Sequence, residues 1–215
     1  MPNEFYALMG RMRYITRWGL MRNSFSENIQ EHSHQVAVLA HALALIRREI
    51  LGLEGPDPDR CAVAALYHDA SEILTGDLPT PVKYYNSAIQ DAYRQVEQIA
   101  CNQLLDLLPQ QLRGCYEHLI LESDEEVKAI VKQADKLSAY IKCLEELKAG
   151  NAEYETAARQ TMEAVQEMNR PEMEWFVREC LPAFCSSTHL MYADSLSAAF
   201  TTGVTTSSSS STSGA

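Results

Sequence analysis

Ala62-Val63-Ala64-Ala65-Leu66-Tyr67-His68-Asp69-Ala70-Ser71-Glu72-Ile73-Leu74 decides how this chain is read. Its surroundings are mostly apolar helix formers. Into them the sequence sets an imidazole, an adjacent carboxylate, and a second carboxylate one helical turn after the imidazole. Buried charge is costly unless it is paired or holds a metal. The stretch is therefore either satisfied locally or the centre of a site. Asp57 and Pro58 predict the N-cap and first position of its helix, with Val63, Leu66, Tyr67, Ala70 and Leu74 as the core stripe. Thr75-Gly76-Asp77-Leu78-Pro79-Thr80-Pro81 ends that helix, because its glycine and prolines forbid continuation. A rigid loop directly after a polar helical cluster suits a pocket wall, and equally an ordinary connector.

Upstream, Phe5, Leu8, Met9 and Met12 follow the period of an amphipathic helix. Residues 14–22 have no clean period and read as a loop. Within it, Trp18 either plugs a core gap while Arg17 is solvated, or the two form a cation and a flat wall beside an anion. Asn28 and Glu31 form a capping box. The helix they open runs to about Ile50 and is stopped by Gly52, burying Val36, Leu39, Ala40 and Leu43. His32 starts that stripe, whereas His34 and His41 point elsewhere. On an apolar face His32 is a hydrogen-bonded core residue unless partners converge on it.

Downstream, Val82 to about Leu108 reads as helix with a stripe of Ile89, Tyr93, Val96, Ile99 and Ala100. Pro109 breaks it, and a shorter helix covers Gln111 to Leu121. Ser123, with Glu126 three residues on, predicts the cap of a long helix. Its stripe is Val127, Ile130, Val131, Ala134, Ser138 and Ile141. Asp135 borders that stripe, within reach of Lys132 or Lys136. Two more helices span about 152–168 and 171–180, with Trp175 and Phe176 assigned to packing. A further helix is read over 190–200. Residues 201–215 are a Ser/Thr/Gly tract set apart from the fold. No alternating strand pattern is present, so the fold class is all-α, one domain over residues 1–200.

The chain has 215 residues, 46% hydrophobic and 22% charged, enough for a packed core. Its formal net charge of −11 argues against a nucleic-acid polymer as partner. A small anionic substrate needs only one or two local cations. No apolar run is long enough to span a membrane, and no signal peptide is evident, so a cytoplasmic location is expected. The six cysteines form no CxxC pair and read as buried thiols.

His32, His68, Asp69 and Asp135 together offer two imidazoles and two carboxylates, a set suited to a divalent first-row metal with mixed N/O coordination. Adjacent helical residues point about 100° apart. His68 and Asp69 therefore share one ion only along the helix flank, with other ligands supplied by other helices.

The order of these residues resembles the HD-domain phosphohydrolase superfamily. Arg17-Trp18, Glu31-His32-Ser33, Tyr67-His68-Asp69-Ala70-Ser71-Glu72, the segment from Thr75 to Tyr84, and Lys132-Gln133-Ala134-Asp135 resemble the bacterial 5'-deoxynucleotidases within it. The similarity covers roughly residues 3–185. The Thr-Gly-Asp-Leu-Pro-Thr-Pro segment after His-Asp-Ala-Ser-Glu is its specific part. The resemblance implies a dimeric helical bundle that removes the 5'-phosphate of deoxyribonucleoside monophosphates with a divalent metal such as Co²⁺ or Mn²⁺. By position, His32, His68, Asp69 and Asp135 carry over as metal ligands, Arg17 as phosphate contact and Trp18 as the wall against the sugar. Asp77, Leu78, Pro79 and Thr80 would line the substrate site, where His32, Asp69 and Asp135 also face substrate. Glu72 is the candidate general acid or base, or else a carboxylate that orients His68. The rival readings are a phosphohydrolase of the same superfamily acting on triphosphates or cyclic nucleotides, a non-catalytic nucleotide sensor, and a purely structural bundle. A triphosphate needs more cations than Arg17, Arg22 and Lys83 supply.

Overall fold

The computed structural model describes residues 3–83 and 85–185. The helix read over 190–200 and the tract from 201 lie outside the described residues. Among the described residues eleven α-helices follow one another: α1 (Phe5–Met9), α2 (Ile29–Leu45), α3 (Pro58–Tyr67), α4 (Glu72–Thr75), α5 (Thr80–Lys83), α6 (Ser87–Asp106), α7 (Gln110–Ile120), α8 (Glu125–Lys148), α9 (Glu155–Glu167), α10 (Pro171–Glu179) and α11 (Pro182–Cys185). Among the described residues no strand forms, and Thr16 and Asn28 make one isolated antiparallel bridge.

The caps explain where the main helices start. Asn28 accepts from the Gln30 and Glu31 amides while Glu31 reaches back to the Asn28 amide. Asp57 caps α3 by accepting from the Arg60 amide, and Pro58 occupies its first position. The long helix α8 is capped by Asp124, which accepts from Glu126 and Val127, and not by Ser123. Asp124 wins because its carboxylate also pairs with Arg60 at 3.0 Å. The helix expected from Val82 is two pieces. Asn86 caps α6 afresh by accepting from the Ile89 amide.

The main core joins α2, α3, α8, α9 and α10. Val36, Leu39, Ala40 and Leu43 meet Val127, Ile130, Ala134, Leu137 and Ile141, all buried. Within it Glu172 is buried and paired with Arg47 at 3.1 Å and Gln133 at 2.9 Å. A smaller core gathers Phe5, Ala70, Cys101, Leu104, Leu105, Leu108 and Ile120. Two expected stripes hold only in part, with Ala70 and Ala100 buried as expected. On α3, Val63 and Leu66 are 40% and 41% exposed, and Cys61, Ala64 and Ala65 are buried instead. Small side chains let α3 lie close against α2, which turns the bulky residues outward. On α6, Ile89, Val96 and Ile99 are exposed, and only Ala100, Cys101, Leu104 and Leu105 reach the core. The first half of α6 instead meets α4 and α5, where Tyr93 lies 3.4 Å from Thr75 and Glu97 holds Lys83 at 2.7 Å. Of the cysteines, Cys61, Cys101 and Cys143 are buried as expected. Cys180 is half-buried, and Cys115 and Cys185 are exposed, because they fall on the outer faces of short helices.

One polar cluster fixes the irregular segment between residues 15 and 28 on α8. Glu146 is fully buried. It accepts from the Ser24 amide at 2.8 Å, from Asn151 at 2.9 Å and from Lys142 at 2.5 Å. Lys142 also donates to the Phe25 carbonyl and Asn151 to the Arg22 carbonyl, each at 2.7 Å. Burial alone raises a carboxyl pKa, but the bonds from Lys142, Asn151 and Ser24 outweigh it and hold Glu146 down at about 2. Removing one partner of a buried charge pair strands the other. Glu146→Ala is therefore expected to cost about 3–5 kcal/mol of unfolding free energy, measured in urea. The folded value lies below the ordinary 4.5. This contribution is thus present above pH 4.5 and is lost as pH falls through about 2. Glu146→Gln should lack that acid-side loss relative to the parent protein.

Candidate active site

The His-Asp dipeptide does not lie inside a continuous α-helix. Helix α3 ends at Tyr67, and His68 to Ser71 form a tightened turn before α4. Amides here bond three residues back: Ala70 to Tyr67 and Glu72 to Asp69, each at 3.0 Å. The cause is local. The Ala65 carbonyl receives both the His68 Nδ1 at 2.7 Å and the His68 amide at 3.5 Å. A tighter turn splays His68 and Asp69 further than the α-helical spacing, and His68 Nε2 still meets Asp69 Oδ2 at 3.1 Å.

The two imidazoles are set in the same sense. A carbonyl can only accept, so His68 Nδ1 carries hydrogen and Nε2 keeps its lone pair. His32 is fully buried, and its Nδ1 lies 3.2 Å from Ser138 Oγ. Ser138 spends its own hydrogen on Gln35 at 2.7 Å, so it accepts from His32. His32 Nε2 is thereby left as a lone pair too. It lies 3.1 Å from Asp135 Oδ1 and 3.6 Å from Asp69 Oδ2. Both Nε2 atoms are buried without a well-aligned hydrogen bond. Ligand atoms of His32, His68 and Asp135 all lie within 4.8 Å of one another, and Asp69 Oδ2 flanks both rings. Two orphaned lone pairs facing two carboxylates fit a divalent cation, with the outer nitrogens fixed by Ser138 and Ala65 as metal-binding histidines require.

The electrostatics agree with that fit. Burial opposes charging His68, but Asp69 beside it outweighs burial and pushes the imidazole up to about 9, so without a cation Nε2 takes a proton that a metal would displace. Against the same burial penalty, His68, His32 and Arg17 hold Asp69 down at about 2. Asp135 is held well below the carboxylate range by His32, Lys136 and His68, again against burial. Asp69 and Asp135 thus stay ionised and attract positive charge, which the imidazolium supplies here and a divalent cation would replace. Glu72 behaves oppositely. Burial, then Asp69 and Asp77, push it up to about 9 against the pull of Arg17 and Lys83. It is 6% exposed, and its Oε2 has no partner. Glu72 does not orient His68, since the Ala65 carbonyl does that.

Arg17 stands over the cluster, largely buried. It contacts Asp69 Oδ2 at 3.4 Å and Glu27 at 3.2 Å. Trp18 adopts the left-handed φ of 60° and lies 5.3 Å from Tyr154. The reading of Arg17 as a solvated surface cation is therefore excluded. Gly76, at φ 73°, turns the chain after α4 and sets Asp77 at the rim. Burial raises the Asp77 carboxyl, Arg17 lowers it and Asp69 raises it, so all three share one electrostatic neighbourhood. Leu78 and Pro79 are half-buried there, and Thr80 is exposed at the start of α5. A cleft of about 370 Å³ reaches His68 and Asp135 from another side and carries Lys128, Lys132 and Lys136. The spacing of residues did not disclose the roles of Ser138, Glu146 and Glu27. A charged pair at i, i+4 on a core stripe, Lys142 and Glu146, was a usable signal. Glu27 had none, because it sits in an aperiodic loop.

A family profile described as "5'-deoxynucleotidase YfbR-like" matches residues 4–184. The chain belongs to this family. A 5'-deoxynucleotidase of Erwinia tasmaniensis is 47% identical over 196 residues, 90% of this chain and 98% of that relative. The 5'-deoxynucleotidase YfbR of Escherichia coli is 49% identical over 197 residues, again 90% and 98% of the two chains. The fold matches a crystal structure of an HD-domain phosphohydrolase from Listeria innocua, with TM-score 0.70, 24% identity, and coverage of 93% and 97%. A cyanophage S-2L HD phosphohydrolase (DatZ), bound to dA and one catalytic Zn²⁺, matches with TM-score 0.56 and 21% identity over 75% of this chain and 82% of that one. The all-α fold expected from the His-Asp stretch is thus that of the HD phosphohydrolases. This YfbR-like chain also carries no helix, among its described residues, long and apolar enough to cross a membrane.

Proposed function

We propose that this protein is a metal-dependent 5'-deoxynucleotidase, converting a deoxyribonucleoside 5'-monophosphate and water to a deoxynucleoside and phosphate. The convergence of two buried imidazole lone pairs and two carboxylates beside Arg17 and a protonated Glu72 carries the reading. His32, His68, Asp69 and Asp135 would hold the ion, for which cobalt or manganese suits the mixed donor set. A bound divalent ion supplies Lewis acidity and a water of lowered pKa.

The other steps belong to the side chains. Arg17 offers a planar fork suited to the phosphate, a role that its contact with Asp69 beside the ligands supports. As the water oxygen bonds to phosphorus and the bond to O5' breaks, the electron pair of that bond leaves on O5'. Glu72, uncharged and buried, is placed to give O5' its proton. Asp77 accepts from the 3'-hydroxyl, with Leu78, Pro79 and Thr80 beside it. Trp18 lies against C2' and leaves no room for a ribose hydroxyl. The lysines of the second cleft favour an anionic substrate on a chain of net charge −11. Six free thiols suit a reducing cytoplasm. A homodimer and the lack of a nucleic-acid partner complete the reading.

Phosphate release from dAMP, AMP and dATP tests it, with EDTA and then with Co²⁺ or Mn²⁺ restored. dAMP alone should be turned over well, and only with metal. Preference for dATP would favour the triphosphohydrolase reading. Trp18→Ala should raise AMP hydrolysis towards that of dAMP. Unchanged discrimination in that variant would remove Trp18 as the selector.

A further inference from the structure

One carboxylate outside the ligand cluster touches both side chains that the proposed function assigns to phosphate and sugar. Glu27 Oε2 accepts from Arg17 Nε at 3.2 Å and from the Trp18 indole Nε1 at 3.0 Å. The same oxygen thus links the guanidinium and the indole. The backbone brings the three residues together: the Arg17 amide donates to the Glu27 carbonyl and the Ile29 amide to the Ile15 carbonyl, each at 2.9 Å, flanking the Thr16–Asn28 bridge. The side chain is about as buried as that of Arg17, each 13% exposed. Trp18 is held in a left-handed backbone conformation that a non-glycine residue rarely adopts. Tyr154 gives it a packing surface on one side, and Glu27 supplies its hydrogen bond.

We infer that Glu27 is the positioning residue for substrate selection. It aims the Arg17 fork and the Trp18 ring together, so phosphate binding and exclusion of the 2'-hydroxyl depend on one carboxylate. This rests on the 5'-deoxynucleotidase reading. Glu27 touches neither the ligand cluster nor Glu72 in the contacts above, so its loss should act on binding and choice of sugar more than on the chemical step. Because the pairing of residues 17 and 27 is also through backbone, truncating the side chain removes the anchor and leaves the bridge.

The two contacts separate in two variants. Glu27→Ala loses both. Glu27→Gln keeps an oxygen for the indole but loses the charge facing Arg17. In steady-state assays, Glu27→Ala should raise KM for dAMP and narrow the dAMP-to-AMP ratio of kcat/KM by about tenfold, the worth of one hydrogen bond to a charged group. Glu27→Gln should raise KM and leave that ratio near the parent value. The second readout is free of turnover. The ¹⁵N–¹H signal of the Trp18 indole, assigned with Trp175→Phe, should move in Glu27→Ala and stay in Glu27→Gln. A Glu27→Ala variant with parental KM, parental sugar ratio and an unmoved indole signal overturns the inference. So does an indole that moves while both kinetic values stay put. If the parent protein fails to hydrolyse dAMP, the 5'-deoxynucleotidase reading falls by itself. The indole signal then still decides whether Glu27 anchors Trp18.

Discussion

Glu72→Ala should fold, take up metal, and lose turnover of dAMP by about 10²- to 10⁴-fold, the usual contribution of a positioned general acid or base. Folding should survive because, among the described residues, Glu72 makes no side-chain bond to another element, and its Oε2 is a buried atom without a partner there. Removing such a group relieves a desolvation cost instead of stranding a partner. Metal uptake should survive because Glu72 is not among the proposed ligands His32, His68, Asp69 and Asp135, of which His32, His68 and Asp135 bring ligand atoms within 4.8 Å of one another, and His68 is oriented by the Ala65 carbonyl. Turnover should not survive. Burial and the neighbouring Asp69 and Asp77 keep Glu72 protonated up to about pH 9. A cation bound among those carboxylates offsets their charge and moves Glu72 back towards neutrality, where an acid can both hold and release its proton. Glu72→Gln keeps the shape and lacks the transferable proton, so it should fail to a similar degree. The acid role has its own signature. An aryl phosphate, whose phenolate leaves without protonation, should lose far less rate in Glu72→Ala than dAMP does. Equal losses on both substrates would assign Glu72 to positioning the attacking water. Normal kcat on dAMP would remove it from the mechanism.

The parts of the site that rest on helical period were legible in the sequence, and the parts that rest on loop closure were not. The α8 stripe, from Val127 to Ile141 with Ser138 inside it, is buried as its spacing requires. That spacing puts Asp135 at the edge facing His32. The Asn28–Glu31 box likewise fixes where α2 begins and so where His32 enters the core. The break at His68 was hidden, because helix formers flank it on both sides. What ends α3 is a side chain taking the Ala65 carbonyl that the backbone ladder would use next. The α3 and α6 stripes misled for another reason. Bulky residues at helical spacing mark a face, but the face that packs is chosen by the neighbour. Here α2 accepts the small face of α3, and among the described residues only the last turns of α6 reach a core. Glu27 and Glu146 act across ten and more than a hundred residues, between a loop and its supports. Nothing in the local pattern of Glu27 announces that, and the i, i+4 pair with Lys142 marks Glu146 only as a buried charge without naming its loop partner.

Asp135→Ala is expected to abolish metal retention and with it dAMP hydrolysis, while the fold persists. The contrast with a structural ion-pair network is thermodynamic. Asp135 sits 3.1 Å from the buried His32 and 3.7 Å from Lys136. If these pairs serve only stability, the variant should lose the same amount of unfolding free energy with or without metal. A metal site behaves differently. A ligand that binds only the native state adds about 2.7 kcal/mol at a hundredfold excess over its Kd. For a chain of this size that is roughly 5–10 °C in Tm. The parent protein should therefore melt several degrees higher with Co²⁺ or Mn²⁺ than in EDTA, and Asp135→Ala should melt alike in both. Elemental analysis of the purified proteins gives the matching count, with metal present in the parent and absent from the variant. Ser138→Ala refines the outcome. It leaves all four ligands in place but frees His32 Nδ1 from its 3.2 Å contact. Loss of such an orienting partner weakens metal affinity by about 10–100-fold. A Ser138→Ala protein with parental affinity would mean that burial alone fixes the His32 ring. A metal-induced rise in Tm that persists in Asp135→Ala would move the ion away from this cluster.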